Sequence, residues 1–164
     1  MDLARDKTYI SCLRILKDST EIDIDKYTVE IEDLHGRRIV RKYSTKMMGM
    51  KTLYKCSLQE QAFRSRVIEI LVTISRLRNQ LELAYEGTVK HILSSYYDEI
   101  PVKTQYGKES WVKSKLSKVA SRINEFTTLT DNANLIIDDI DKASWTLKRQ
   151  VDLATVTNQR EKVL

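Results

Sequence analysis

WVKSKLSKVASRINEFTTLTDNANLIIDDIDKASWTLKRQVDLA, residues 111–154, is the stretch on which the fold turns. Its apolar and small residues fall at Val112, Leu116, Val119, Ile123, Phe126, Thr130, Ala133, Ile137, Ile140, Ser144, Leu147, Val151 and Ala154. The steps alternate strictly between four and three, and no proline or glycine interrupts them. A repeat averaging 3.5 residues keeps one stripe of a helix facing a partner helix, the coiled-coil condition. The stripe is therefore expected to lie along other helices, and copies of the same chain are the favoured partners. Ile123, Phe126, Ile137, Ile140, Leu147 and Val151 are the residues assigned to that self-association. Thr130, Ala133 and Ser144 are small enough to let several helices crowd together, at the expense of a simple dimer.

A second stripe, Phe63, Val67, Ile70, Ile74, Leu77, Leu81, Ala84, Thr88 and His91, follows the same alternation. It can pack on the first as a hairpin or on another chain, and both readings stand. Four glycines and one proline in 164 residues leave few turn or strand signals. The expected fold is all-α: an elongated long-helix hairpin or coiled-coil protomer that assembles into a homo-oligomer. No run of 18 apolar residues exists, so no membrane span is expected. Met1-Asp2-Leu3-Ala4-Arg5-Asp6-Lys7 has no apolar core of the signal-peptide kind, which points to a cytoplasmic protein. Two cysteines, Cys12 and Cys56, are too few for a disulfide framework and suit a reducing compartment.

Working outward, residues 2–17 read as a short amphipathic helix with Leu3, Ile10, Leu13 and Leu16 on one face. Asp25 can cap a second short helix carrying Tyr27, Ile31 and Leu34 and stopping at Gly36. Residues 37–43 are ambiguous among connector, strand and helical turn. Ser44 is a candidate cap for a long central helix to about Tyr96, a rod of roughly 75 Å at about 1.5 Å per residue. Pro101 closes it. Glu109 or Ser110 can open the last helix, which runs to the mid-150s. Three consecutive segments follow: an acidic extension (1–35), a basic segment with the central helix (36–100), and a basic loop with the C-terminal helix (101–164).

The net charge of +5 conceals a segregation. Residues 1–33 hold five basic and nine acidic side chains, whereas residues 34–59 hold seven basic and none acidic. Residues 101–122 hold six basic side chains against Glu109 alone. The first block contains Arg37, Arg38, Arg41, Lys42, Lys46, Lys51 and Lys55, with Tyr43 and Tyr54 interleaved. The second contains Lys103, Lys108, Lys113, Lys115, Lys118 and Arg122, beside Tyr106 and Trp111. Clustered cations bind phosphate backbones by counterion release, and aromatic faces stack on unpaired bases. Single-stranded nucleic acid is the partner this pattern suggests.

The catalytic inventory is nearly empty. His35 and His91 lack partners at metal-ligand spacing, and no glycine-rich phosphate loop exists. Asp138, Asp139 and Asp141 read as a solvated face. No enzyme activity, metal or cofactor is expected.

The chain resembles the phage recombination mediators of the UvsY family over roughly residues 30–164. The resemblance is carried by Ile31-Glu32-Asp33-Leu34, by Ser44-Thr45-Lys46, by Lys90 with the pair Tyr96-Tyr97, and by Tyr106-Gly107-Lys108-Glu109-Ser110 leading into Lys113-Ser114-Lys115-Leu116-Ser117. It implies a protein of a bacteriophage, acting in the cytoplasm of its bacterial host. It implies binding of single-stranded DNA without sequence preference and a ring-like homo-oligomer, hexameric or heptameric, built through the C-terminal helices. It also implies partnership with a strand-exchange recombinase and with the single-strand-binding protein that the recombinase must replace. The family's DNA-binding lysine falls on Lys90. Ile92 stands where its arginine would be, and one extra residue precedes Tyr96. Weight therefore shifts to the block from Arg37 to Lys55. The full set expected to bind DNA is Arg37, Arg38, Arg41, Lys42, Lys46, Lys51, Lys55, Lys90, Tyr96, Tyr97, Lys103, Lys108, Lys113 and Lys115. The acidic first 30 residues are expected to shield that basic surface or meet a basic partner. The rival readings are a coiled-coil scaffold or assembly chaperone and a duplex-binding architectural protein.

Overall fold

The computed structural model describes residues 2–40 and 48–161. Among these the regular structure is entirely helical, with five α-helices: α1 (Lys7–Thr20), α2 (Ile24–Gly36), α3 (Met50–Ser95), α4 (Gln105–Lys115) and α5 (Ser117–Glu161). Short 3-10 turns at Leu3–Arg5 and Tyr97–Glu99 precede α1 and follow α3. The all-α expectation holds. No helix among the described residues is long and apolar enough to cross a membrane.

Several boundaries differ from the sequence reading. Helix α1 begins later than residue 2 because Asp6 caps it, accepting from the Tyr9 N–H at 2.8 Å. Ile10 and Leu13 of its expected apolar face are exposed, while Cys12 and Ser19 are buried. Helix α3 starts at Met50, where the Gly49 carbonyl accepts the first helical bonds from Thr52 and Leu53. The proposed cap Ser44 lies outside the described residues. The expected last helix is two helices. Thr104 caps α4 by accepting from the Gly107 N–H at 3.1 Å. Gly107 is needed there, since a Cβ would collide with Val102 and with the Thr104 hydroxyl. Leu116, at φ −104° and ψ 16°, separates α4 from α5 by a single non-helical residue. The stagger passes through the break, for Val112, Leu116 and Val119 are all buried.

Packing divides the chain into two compact units that are not consecutive segments. One comprises Met1–Ile24 with Thr73–Thr130, the other Asp25–Val72 with Asp131–Leu164. The three-segment reading missed this because α3 and α5 each contribute to both units.

In the first unit, Cys12, Leu81, Ile92, Leu116, Val119 and Phe126 are buried. Arg122 closes the end of α1, donating to the carbonyls of Ser19 (2.8 Å) and Ile22 (2.6 Å). A cation at a helix C-terminus satisfies carbonyls that have no helical partner and meets the negative end of the helix dipole. The acidic N-terminus is thus part of a packed core. Deleting residues 1–29 removes the buried Cys12 and Ser19 from that core, so it does not simply unmask a surface.

Asp6 ties the other end of α1 down. Its carboxylate sits 2.8 Å from His91 Nε2 and accepts from the Tyr96 hydroxyl at 3.0 Å. The Tyr9 N–H, followed by the bonds to His91 and Tyr96, holds its pKa down to about 2 against the opposing effect of burial. Asp6→Ala loses a cap and two charge-assisted bonds and should cost about 2 kcal/mol at neutral pH. Because the folded-state pKa is depressed, this stabilisation is present above the ordinary value of 3.8 and disappears as pH falls towards 2. The stability gap between wild type and mutant, from urea titrations at stepped pH, should narrow across that window. A gap that widens on acidification would contradict the assignment.

In the second unit, Leu53, Cys56 and Leu147 form a buried cluster, packed by Ile39, Val40, Met48, Met50 and Val151. Val67, Ile70, Ala133 and Ile140 are also buried. The central stripe in fact begins further upstream than expected. Leu53, Cys56 and Glu60 continue its alternation back from Phe63, and all three are buried.

The C-terminal stripe is covered within the single chain. Phe126, Ile140 and Leu147 are buried, and Ile123, Ile137 and Val151 are half-buried. These six residues were assigned to contacts between copies. The single chain by itself buries Phe126, Ile140 and Leu147, the last against Leu53 and Cys56 of α3, and leaves Ile123, Ile137 and Val151 half-buried. Of the two readings left open for the central stripe, the intramolecular one describes this chain.

Candidate nucleic-acid interface

The two described arginines of the first basic block, Arg37 and Arg38, are both paired. Arg37 is held by Asp33 one turn back on α2, with its Nε 2.8 Å from the carboxylate. Arg38 is almost wholly buried at 1% exposure. Its Nε donates to both Glu60 oxygens at 2.8 and 3.1 Å, its second terminal nitrogen lies 2.6 Å from Glu60, and its remaining nitrogen donates to Asp139. Burial works against its charge, but the bonds from Glu60 and Asp139 prevail and hold its pKa above the ordinary arginine value. Arg38 is therefore a structural ion-pair residue, not a DNA contact. A charged Glu60 on the helix stripe demands a buried cation, and the planar fork of an arginine supplies one.

The C-terminal carboxylates are likewise more than a solvated face. Asp139 meets Arg38, and Asp141 binds Arg64 through bonds of 2.6 and 3.1 Å. Asp138 remains exposed.

Two candidates near the α3–α4 connection are also internal. Lys108 is 7% exposed, donates to the Tyr97 carbonyl at 2.5 Å and places its ammonium 3.4 Å from the Tyr97 ring centre. Tyr96 spends its hydroxyl on Asp6, which raises its pKa, and sets its ring edge-on to His91. Lys108 and Tyr96 are thus removed from the DNA-binding set. Tyr97 stays partly exposed but already carries the Lys108 cation. Arg41, Lys42 and Lys46 lie outside the described residues.

What remains is a set of lysines. Lys51 and Lys55 on α3 are exposed, in the second unit. Lys90, Lys103, Lys113 and Lys115 are exposed in the first. Among the described residues, none of the six is drawn into an ion pair. Lys115 lies 5.0 Å from the Trp111 ring, a cation–π contact that leaves the charge in solvent.

One feature of the surface escaped the sequence reading. In the second unit, α3 and α5 leave a groove of about 400 Å³ on their flank, lined by Tyr54, Gln61, Trp145, Lys148 and Val151 with Leu147 at its floor. Tyr54 and Trp145 are 57% and 60% exposed. Arg149 places its guanidinium 4.8 Å from the Trp145 ring. A signal was present: the stagger runs through Ser144 and Leu147, so its register pushes Trp145 off the stripe. A tryptophan off the stripe of a long helix faces water unless a third element covers it. The net acidity of residues 123–164 masked the local Trp145, Lys148 and Arg149 grouping.

Among the described residues, no cluster of three or more histidine, cysteine or carboxylate side chains is placed to hold a metal. Burial keeps both thiols, Cys12 and Cys56, above the ordinary cysteine pKa, which works against nucleophilic reactivity. The fold and surface define an all-α protein in which Arg38 is buried on internal partners while Lys51, Lys55, Lys90, Lys103, Lys113 and Lys115 are exposed. No protein-family model, curated protein or solved structure matches the chain.

Proposed function

We propose that the protein is a non-enzymatic, single-stranded DNA-binding recombination mediator. The observation that supports this best is the exposure of Lys51, Lys55, Lys90, Lys103, Lys113 and Lys115 without ion-pair partners among the described residues, while Arg37, Arg38 and Arg122 are paired with carboxylates of the same chain. Uncompensated lysines release phosphate counterions on binding, whereas paired arginines would first have to break their bonds. In this reading the protein holds an extended strand, loosens a single-strand-binding protein from it and presents it to a strand-exchange recombinase. The resemblance to the UvsY family supports the same role in a phage-infected bacterial cytoplasm. A ring of copies would have to use surfaces other than the stripe of α5.

Fluorescence anisotropy of labelled oligo-dT across a salt series tests the proposal. Engagement of three to six lysines predicts a log–log slope of roughly −2 to −4 on a single strand. Absence of binding at low salt would remove nucleic acid from the account. The second reading is then an interaction scaffold or assembly chaperone, favoured by the exposed Leu58, Val72, Leu83 and Leu135.

A further inference from the structure

We infer that the groove between Tyr54 and Trp145 is a stacking site for a nucleobase of single-stranded nucleic acid, with Lys148 holding the adjoining phosphate. The inference rests on the proposed function and names residues outside both basic blocks except Tyr54. Two large aromatics line one groove and remain more than half exposed. Burying them against protein would be the ordinary outcome for side chains of this size. Their neighbours in the groove are polar or aliphatic apart from Lys148, and no carboxylate lines it. Asp141, one turn before Trp145 on α5, is paired with Arg64. Arg149 brings a second positive charge to the Trp145 ring.

The occupant follows from this chemistry. An apolar helix of a protein partner would gain nothing from Lys148 and Arg149. A free phosphate would gain nothing from the aromatic walls. A nucleotide unit uses both, its base against the rings and its phosphate against the ammonium, and stacking accepts any base. Lys51, one turn before Tyr54 on the same helix, is exposed and can meet a neighbouring phosphate. The volume of about 400 Å³ admits a base with its sugar.

The test is oligo-dT binding by the full chain, with wild type, Trp145→Ala, Trp145→Phe and Lys148→Gln compared across a salt series. Trp145→Ala should weaken binding about tenfold with an unchanged salt slope, since stacking releases no counterions. Trp145→Phe should recover most of the loss. Lys148→Gln should lower the slope by about 0.7. In a Trp111→Phe background, the fluorescence of Trp145 should be quenched by oligo-dT. Trp145 is exposed, so melting temperatures should be unchanged, which excludes unfolding as the cause. If wild type binds with a steep salt slope while Trp145→Ala binds equally well and Trp145 is not quenched, the groove assignment is wrong and the proposed function stands. If wild type itself does not bind, both fall.

Discussion

Arg38→Ala should cost about 3–5 kcal/mol of folding stability, the usual consequence of stranding one partner of a buried ion pair. Glu60 has no exposure, and among the described residues Arg38 supplies the side-chain bonds it makes: two to Nε and a contact of 2.6 Å to a terminal nitrogen. Removing the guanidinium leaves a carboxylate on the stripe of α3 with neither water nor cation. Asp139, half-exposed, can recover water and adds little to the loss. Arg38→Lys should recover only part of it, because an ammonium cannot make the forked contacts. The double replacement Arg38→Met with Glu60→Leu should fold nearly as well as wild type or better, as apolar substitutes for buried pairs often do. Urea unfolding of wild type, Arg38→Met, Glu60→Leu and the double replacement as a double-mutant cycle gives the coupling directly. A DNA-binding role for Arg38 predicts the opposite pattern, unchanged stability with weakened oligo-dT binding.

The second large effect is at Leu147. Leu147→Asp should unfold the second unit, with a loss above about 4 kcal/mol, because it buries a charge where no partner stands. Leu147 is 1% exposed and packs with Leu53 and Cys56. Circular dichroism should show lost helicity and a lost cooperative transition. Ile137→Asp should cost less, since that position is half-buried and an aspartate can reach water. If the stripe of α5 were instead the surface between copies, Leu147→Asp would lower the mass by size-exclusion chromatography while helicity and melting survived. Only the first outcome lowers the stability of the protomer.

The same residues show where reading the sequence succeeds and where it stops. The alternation from Val112 to Ala154 reports helical register, and every position on it is buried or half-buried. Periodicity states that a stripe must be covered but carries no information about which chain covers it. Two matched stripes in one polypeptide favour each other, since closing a loop costs little entropy per added residue. That is why Phe126, Ile140 and Leu147, three of the residues assigned to self-association, are already covered within the single chain.

Charge reading met a similar limit. Counting placed Arg38 and Lys108 in basic blocks, and both blocks exist as composition. Their side chains are buried because each has a partner distant in sequence, Glu60 for one and the Tyr97 carbonyl and ring for the other. The stripe as read from the sequence starts at Phe63 and leaves Glu60 out, since a carboxylate on a hydrophobic stripe breaks the pattern. Its place in the alternation, four residues after Cys56 and three before Phe63, was the available clue.

By itself the sequence determined the helical class, the two stripes and the register that puts Trp145 outside one of them, since these follow from local periodicity and the scarcity of glycine and proline. Tertiary structure alone decided which charges remain in water, because burial of an arginine depends on a carboxylate brought to it by a distant helix. It also decided that Tyr54 and Trp145, 91 residues apart in the numbering, share one groove. No local pattern encodes that proximity; it arises when α3 and α5 meet along their stripes.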